Sequence, residues 1–279
     1  MTVLPFLPRL PLPSVALVRA GALEVAILAG HVLLYPTGFA QEQCSCELPV
    51  PEDEAAGAQT PAVPPGSGTR PPVLLLHGFI DNRSVFVLLR RSLRRHGWEN
   101  VEGFNFSPLS LDIRSSAELL GRHIEEVCTR TGHDRIDVVG HSLGGLIGRY
   151  YAQRMDGHHR IRTLVTLGTP HAGTRAIPLM TVHPLVRQMR PDSEVIEELA
   201  GPAPGCSTRF VSFWSDFDQF MSPLETASLS HPDLITHNIQ VSGVGHLSLP
   251  VHSGVDAGIR QALSPGAPGT GPGSRISVV

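Results

Sequence analysis

Residues 135–151 read RIDVVGHSLGGLIGRYY, and the reading of this stretch decides the fold. Ile136, Val138 and Val139 form a short β-branched apolar run, the pattern of a buried strand. Gly140-His141-Ser142-Leu143-Gly144 then matches G-x-S-x-G, and Gly145-Leu146-Ile147 opens a stretch that suits a helix. Strand, tight turn and helix in that order are the setting of a nucleophile elbow, where a strained turn holds a serine hydroxyl clear of the backbone. The flanking glycines fit this setting, since a Cβ at either position would collide with the neighbouring strand or helix. The helix start behind Ser142 also offers unpaired N–H groups to a developing negative charge. The competing reading is a plain strand-to-helix turn. Gly and Ser are common enough to match five positions by chance, so the weight rests on the elements around the match.

Working outward, the 279 residues allow one large or two small domains, and 41% hydrophobic with 17% charged residues is the balance of a globular chain with a sizeable core. The net charge of −3 gives no reason to expect a nucleic-acid partner. Every basic residue apart from histidine is Arg, which excludes lysine Schiff-base chemistry and a P-loop lysine. Cys44, Cys46, Cys128 and Cys206 form no C-x-x-C pair for zinc, and the sequence does not choose between free thiols and a Cys128–Cys206 bridge.

Residues 1–40 form an apolar N-terminal segment. Its stretch from Val15 to Tyr35 is long enough to span a bilayer but is interrupted by Arg19, Glu24 and His31. Three readings compete: an export signal with Gly38-Phe39-Ala40 as cleavage site, an uncleaved anchor, or a helix packed on the enzyme. The first two favour a secreted or membrane-associated location. Residues 41–70, rich in Pro, Ala and Gly, read as a linker, residues 71–264 as the catalytic domain, and residues 265–279 as a flexible tail. Within the domain, Val73-Leu74-Leu75-Leu76 suits a strand buried on both faces. Helices are expected at 84–96, 115–130, 193–199 and 251–263, and further strands at 101–106, 160–167, 208–214 and 236–241. The alternation predicts an α/β fold with a mostly parallel central sheet and helices on both faces.

A serine needs a base, and the base an orienting carboxylate, in the chain order Ser, acid, His for this fold logic. Ser215-Asp216-Phe217-Asp218 follows the 208–214 strand and offers two carboxylates, of which Asp218 is preferred to Asp216 because apolar residues and Pro223 follow it closely. Ser242-Gly243-Val244-Gly245-His246 follows the last predicted strand. Among the 14 histidines His246 is the one that joins the right order, a strand end and a glycine-rich loop, with His252 and His237 as distant alternatives. Leu143 and Phe79 are expected to supply the two oxyanion N–H groups, the latter from His77-Gly78-Phe79 at the end of the first strand. Phe79, His141, Ile177 and Leu179 are candidates for contact with substrate, although adjacent residues in a turn diverge and His141 should point away from the hydroxyl. Residues 174–206 form either a lid or acyl-pocket wall, with Met180, Leu185 and Val186 adding to its lining, or a simple cover for the sheet.

With these pieces assembled, LLLHGF (74–79), GHSLGG (140–145), TLGTPHAGT (166–174), SDFDQFMSP (215–223) and GVGHLSLP (243–250) resemble bacterial lipases and esterases of the α/β-hydrolase superfamily, of the actinobacterial triacylglycerol-lipase type. The resemblance spans roughly residues 71–263. It implies a serine hydrolase of carboxylic esters or lipids that uses a Ser142–His246–Asp218 triad and no metal or cofactor. Acyl transfer, thioester cleavage and polyester cleavage would use the same residues. An inactive membrane-attached binding protein is the alternative from a different class.

Overall fold

The structure, a computed structural model, describes residues 15–34, 70–79, 81–106, 112–176, 183–264 and 274–277. The candidate cleavage site, residues 41–69 of the linker, Cys44, Cys46, Ile177, Leu179 and Met180 lie outside the described residues. Seven strands form one sheet: β1 (Val73–Leu76), β2 (Val101–Phe104), β3 (Ile136–His141), β4 (Ile161–Leu167), β5 (Arg209–Ser215), β6 (Ile235–Ser242) and β7 (Ser274–Ser277). Their order is β2-β1-β3-β4-β5-β6-β7, and every pairing is parallel.

The apolar run of β1 explains its central position, because Val73 to Leu76 are all buried. Period-two alternation sends Leu74 and Leu76 into the apolar layer on one face and Val73 and Leu75 into the layer on the other. On the first face lie α3 (Ile113–Thr131) and α4 (Leu143–Arg154), which contribute Leu120, Ile124, Leu146 and Ile147. On the second lie α2 (Val87–Arg95) and α7 (Ser253–Leu263), which contribute Leu89, Leu93, Val255 and Ile259. Each helix thus shows the sheet the apolar stripe that its sequence carries. The chain is an α/β-hydrolase fold.

Element boundaries follow local chemistry. α3 begins two residues before the expected Ser115 because Asp112 is its cap, its side chain accepting the Ser115 N–H at 2.7 Å. Two elements were not expected. Residues 265–279, read as a flexible tail, include β7, which extends the sheet by pairing with β6. The short α5 (Pro184–Gln188) precedes α6 (Glu194–Ala200), which Ser193 caps. Cys128 and Cys206 are free and buried.

The chain runs outward from β1 to β2 and then returns to place β3 on the other side of β1. The strand order therefore reverses between β1 and β3, and ligand sites of open α/β sheets sit outside the carboxyl ends of strands at such a point. The loop after β1 and the turn after β3 meet there. Their separation is set by glycine: a Cβ on Gly144 would lie 2.6 Å from His77 O, and one on Gly140 the same distance from Gly145 Cα. Gly144→Ala should therefore cost about 2 kcal/mol or more of stability, since backbone must move to admit one methyl group. Denaturant unfolding of the variant would check this, and an unchanged midpoint would refute the packing argument.

Candidate active site

The turn after β3 places Ser142 at φ 52° and ψ −120°, a conformation that side-chain-bearing residues rarely adopt. Ser142 is held in it from two sides. Its N–H donates to Leu167 O at 2.9 Å, and its carbonyl accepts from Thr169 Oγ1 at 3.0 Å. Leu143 is the first residue of α4, so its N–H has no partner within the helix.

Gly78 approaches this serine from the end of β1: a Cβ built on it would stand 3.4 Å from Ser142 Cβ. His77 fixes the peptide that follows. It is buried and stacked 4.2 Å from the Phe106 ring, its Nε2 accepts the Phe106 N–H at 3.4 Å, and its Nδ1 donates to Gly78 O at 2.8 Å. Burial pushes its pKa down, which suits a neutral ring with one donor and one acceptor nitrogen. Gly78 O and the Phe79 N–H belong to one trans peptide and point in opposite directions, so holding the carbonyl aims the N–H. The Phe79 ring is half-buried and meets His183 edge-on at 4.9 Å.

Of the two carboxylates after β5, the structure brings Asp218 to the histidine. His246 Nδ1 donates to Asp218 Oδ2 at 2.7 Å, and both residues are buried. Asp218 Oδ1 accepts the Phe220 N–H at 2.9 Å, and the Phe220 ring packs 4.9 Å from that of His246. Asp216 instead accepts the Gly243 N–H at 2.9 Å and ties down the start of the histidine loop. Burial pulls the His246 pKa down, but the charge and hydrogen bond of Asp218, with Asp81 and Glu24 adding, raise it overall above the ordinary value. Gly168 makes room for the pair, since a Cβ on it would lie 2.8 Å from Asp218 Oδ2 and 2.9 Å from His246 Nδ1. Its φ of +52° suits glycine as well. Gly168 follows Leu167, the residue that accepts the Ser142 N–H, so serine, acid and histidine converge on the ends of β3, β4, β5 and β6.

This convergence accompanies a match to a family profile over residues 72–228. The chain belongs to the palmitoyl protein thioesterase family. Among curated relatives, a triacylglycerol lipase of Pseudarthrobacter phenanthrenivorans is 29% identical over 118 residues, 39% of this chain and 35% of that one. The chain thus spans about a third of the length of that relative. Among solved structures, the mature form of a Bacillus licheniformis lipase aligns with a TM-score of 0.60 at 14% identity, over 71% of this chain and 93% of that one. Aspergillus fumigatus lipase B aligns at 0.63 and 18% identity, over 72% and 54% respectively. At these identities the likeness is one of fold.

In this member of the palmitoyl protein thioesterase family, His141 points away from Ser142 toward the histidine loop. It is buried behind the histidine loop, its Nε2 donating to His246 O at 3.2 Å and its ring 4.7 Å from that of His246. Its Nδ1 lies 3.6 Å from Asp81 Oδ2, beyond hydrogen-bond range, and burial lowers its pKa, so it stays neutral. The turn diverges at Ser142 and leaves His141 buried, as the pointing argument requires. His252 caps α7 through its Nδ1, and His237 lies within β6. His171 of the TPH motif pairs with Thr166 Oγ1 at 2.9 Å, while its carbonyl accepts from buried Arg149 at 2.8 Å. Leu185 and Val186 are buried in the apolar layer, so residues 183–206 cover α3 and α4.

Three supporting residues escaped the sequence reading: His77 as the aligner of the Phe79 peptide, Asp81 beside His141, and Glu24. Glu24 did carry a signal, since a carboxylate inside an apolar helix needs a partner. Asp218→Asn should lower kcat by about 10³–10⁴-fold, because an amide favours the wrong imidazole tautomer. Asp216→Asn should cost less than about tenfold, the loss of a charged loop cap. Ester hydrolysis by the two variants checks this, and the reverse ranking would refute it.

Proposed function

We propose that the protein is a serine hydrolase that cleaves carboxylic esters of fatty acyl chains through an acyl-enzyme on Ser142. The observation that carries the reading is the buried 2.7 Å pair of His246 and Asp218, converging with a serine held at φ 52°. His246 takes the proton from Ser142 Oγ as that oxygen attacks the acyl carbonyl. The Leu143 and Phe79 N–H groups receive the oxyanion, and Asp218 holds the imidazolium in register. The leaving alcohol takes the proton from His246. Water then gives a proton to His246 as it attacks the acyl carbon, and His246 returns that proton to Ser142 Oγ as the acid leaves. The name of the triacylglycerol lipase relative supports acylglycerols as substrates.

A second reading, cleavage of acyl thioesters, is favoured by the family match. It needs the same steps with a thiol as leaving group. In either case we place the enzyme at a lipid surface, secreted or membrane-associated. The helix α1 (Val15–Leu34) supports this by exposing Leu23, Val25, Leu28 and Leu33.

Wild-type protein should be labelled by a fluorophosphonate probe and should turn over p-nitrophenyl esters. Ser142→Ala should lose both while keeping its circular dichroism. Retained turnover in that variant would sink the assignment. Faster cleavage of a palmitoyl thioester than of the matching oxygen ester, under the same conditions, would select the second reading.

A further inference from the structure

The contact that ties α1 to the domain falls beside the base of the proposed reaction. Glu24 Oε2 accepts the Leu247 N–H at 2.9 Å, and Glu24 Oε1 accepts the Ser248 N–H at 3.0 Å together with the Ser248 hydroxyl. These donors immediately follow His246, and Ser248 is buried. They open the short 3-10 turn Leu249–Val251, so one carboxylate satisfies both backbone groups at its start. Gly245, on the other side of His246, has no Cβ, and one built there would overlap the Glu24 carboxyl group. α1 also packs on the turn Arg83–Phe86, just beyond the loop that carries Phe79 and Asp81.

We propose that Glu24 is a positioning residue for the hydrolase, fixing from α1 the backbone that aims His246. The proposal rests on the hydrolase reading above. His246 is then held at three points: its ring by Asp218, its carbonyl by His141, and the next two N–H groups by Glu24. Asp218 and His141 belong to the domain itself, whereas Glu24 lies more than 100 residues before the nucleophile in the chain. A chain cut after Ala40 would lose this third point. α1 is on this account a working part of the active site.

The substitution that tests the idea is Glu24→Gln in the full-length protein, because the amide keeps the shape but turns an NH₂ toward an N–H donor. We expect kcat to fall about tenfold, the value of one charge-assisted hydrogen bond, with KM changed much less. The acid limb of kcat/KM is a second readout. The groups that face the His246 ring are Asp218, Asp81, Glu24 and His141, of which the three carboxylates favour its protonated form. Removing one of these charges lets His246 lose its proton more readily, so the acid limb should move to lower pH.

Ala26→Ser, at an exposed position of the same helix, should leave kcat and the pH profile unchanged. Ser248→Ala removes one donor, keeps both backbone bonds, and should lower kcat by about threefold; it carries the test if the Gln variant fails to fold. Active, probe-labelled wild type with a Gln variant equal to it in kcat and acid limb would overturn the proposal and leave the hydrolase reading standing. An inert, unlabelled wild type would overturn both.

Discussion

The close approach of α4 to the carboxyl end of β1 is the constraint on which the site depends. Gly144 stands so near His77 O that no side chain fits between helix and strand end, and Gly140 stands as near Gly145. That approach has two effects at once. It bends the chain at Ser142 into a backbone conformation that only surrounding contacts maintain, supplied here by Leu167 O and Thr169 Oγ1. It also sets the start of α4 beside the Gly78–Phe79 peptide, so that Ser142 and the Leu143 and Phe79 N–H groups share one corner. Strain in the turn is offset by the two apolar layers, which lock β1 and β3 in register and leave the turn no cheaper geometry.

Around that corner the charges are arranged to keep one histidine basic and two others neutral. His77 and His141 are buried, and burial lowers the pKa of each. Each then serves as a neutral prop, His77 for the Phe79 peptide and His141 for the His246 carbonyl. His246 is as deeply placed but has Asp218 on its ring, which reverses the effect of burial. Three imidazoles within one site thus have pKa values displaced in two opposite directions, set by which of them meets a carboxylate at hydrogen-bond distance.

Much of this was legible in the sequence because the signals are local. The uninterrupted run of Val73 to Leu76 announces a doubly buried strand, and GHSLGG between β-branched residues and a helix announces the elbow. The order of serine, acid and histidine follows from the same logic. What was not legible depends on contacts distant in sequence. Asp216 and Asp218 sit two residues apart in similar surroundings, and only the position of the next loop decides that one meets the imidazole and the other caps Gly243. β7 was missed because four residues in a Gly/Pro-rich tail carry no strand signal of their own, and pairing with β6 supplies the order. α1 carries Glu24 to the loop after His246, and only that distant loop reveals the use of the carboxylate. Among the described residues no helix is long and apolar enough to cross a membrane.

The bond between Glu24 and Ser248 spans 224 residues of chain. Loop-closure entropy grows only with the logarithm of such a length, so the span costs little at equilibrium. Its effect lies in timing. On the ribosome α1 emerges well before the loop that receives its carboxylate. Until that loop is made, the Glu24 carboxylate lacks the donors it has in the folded chain. The nascent chain therefore carries this helix without its seat until the loop after His246 has been made.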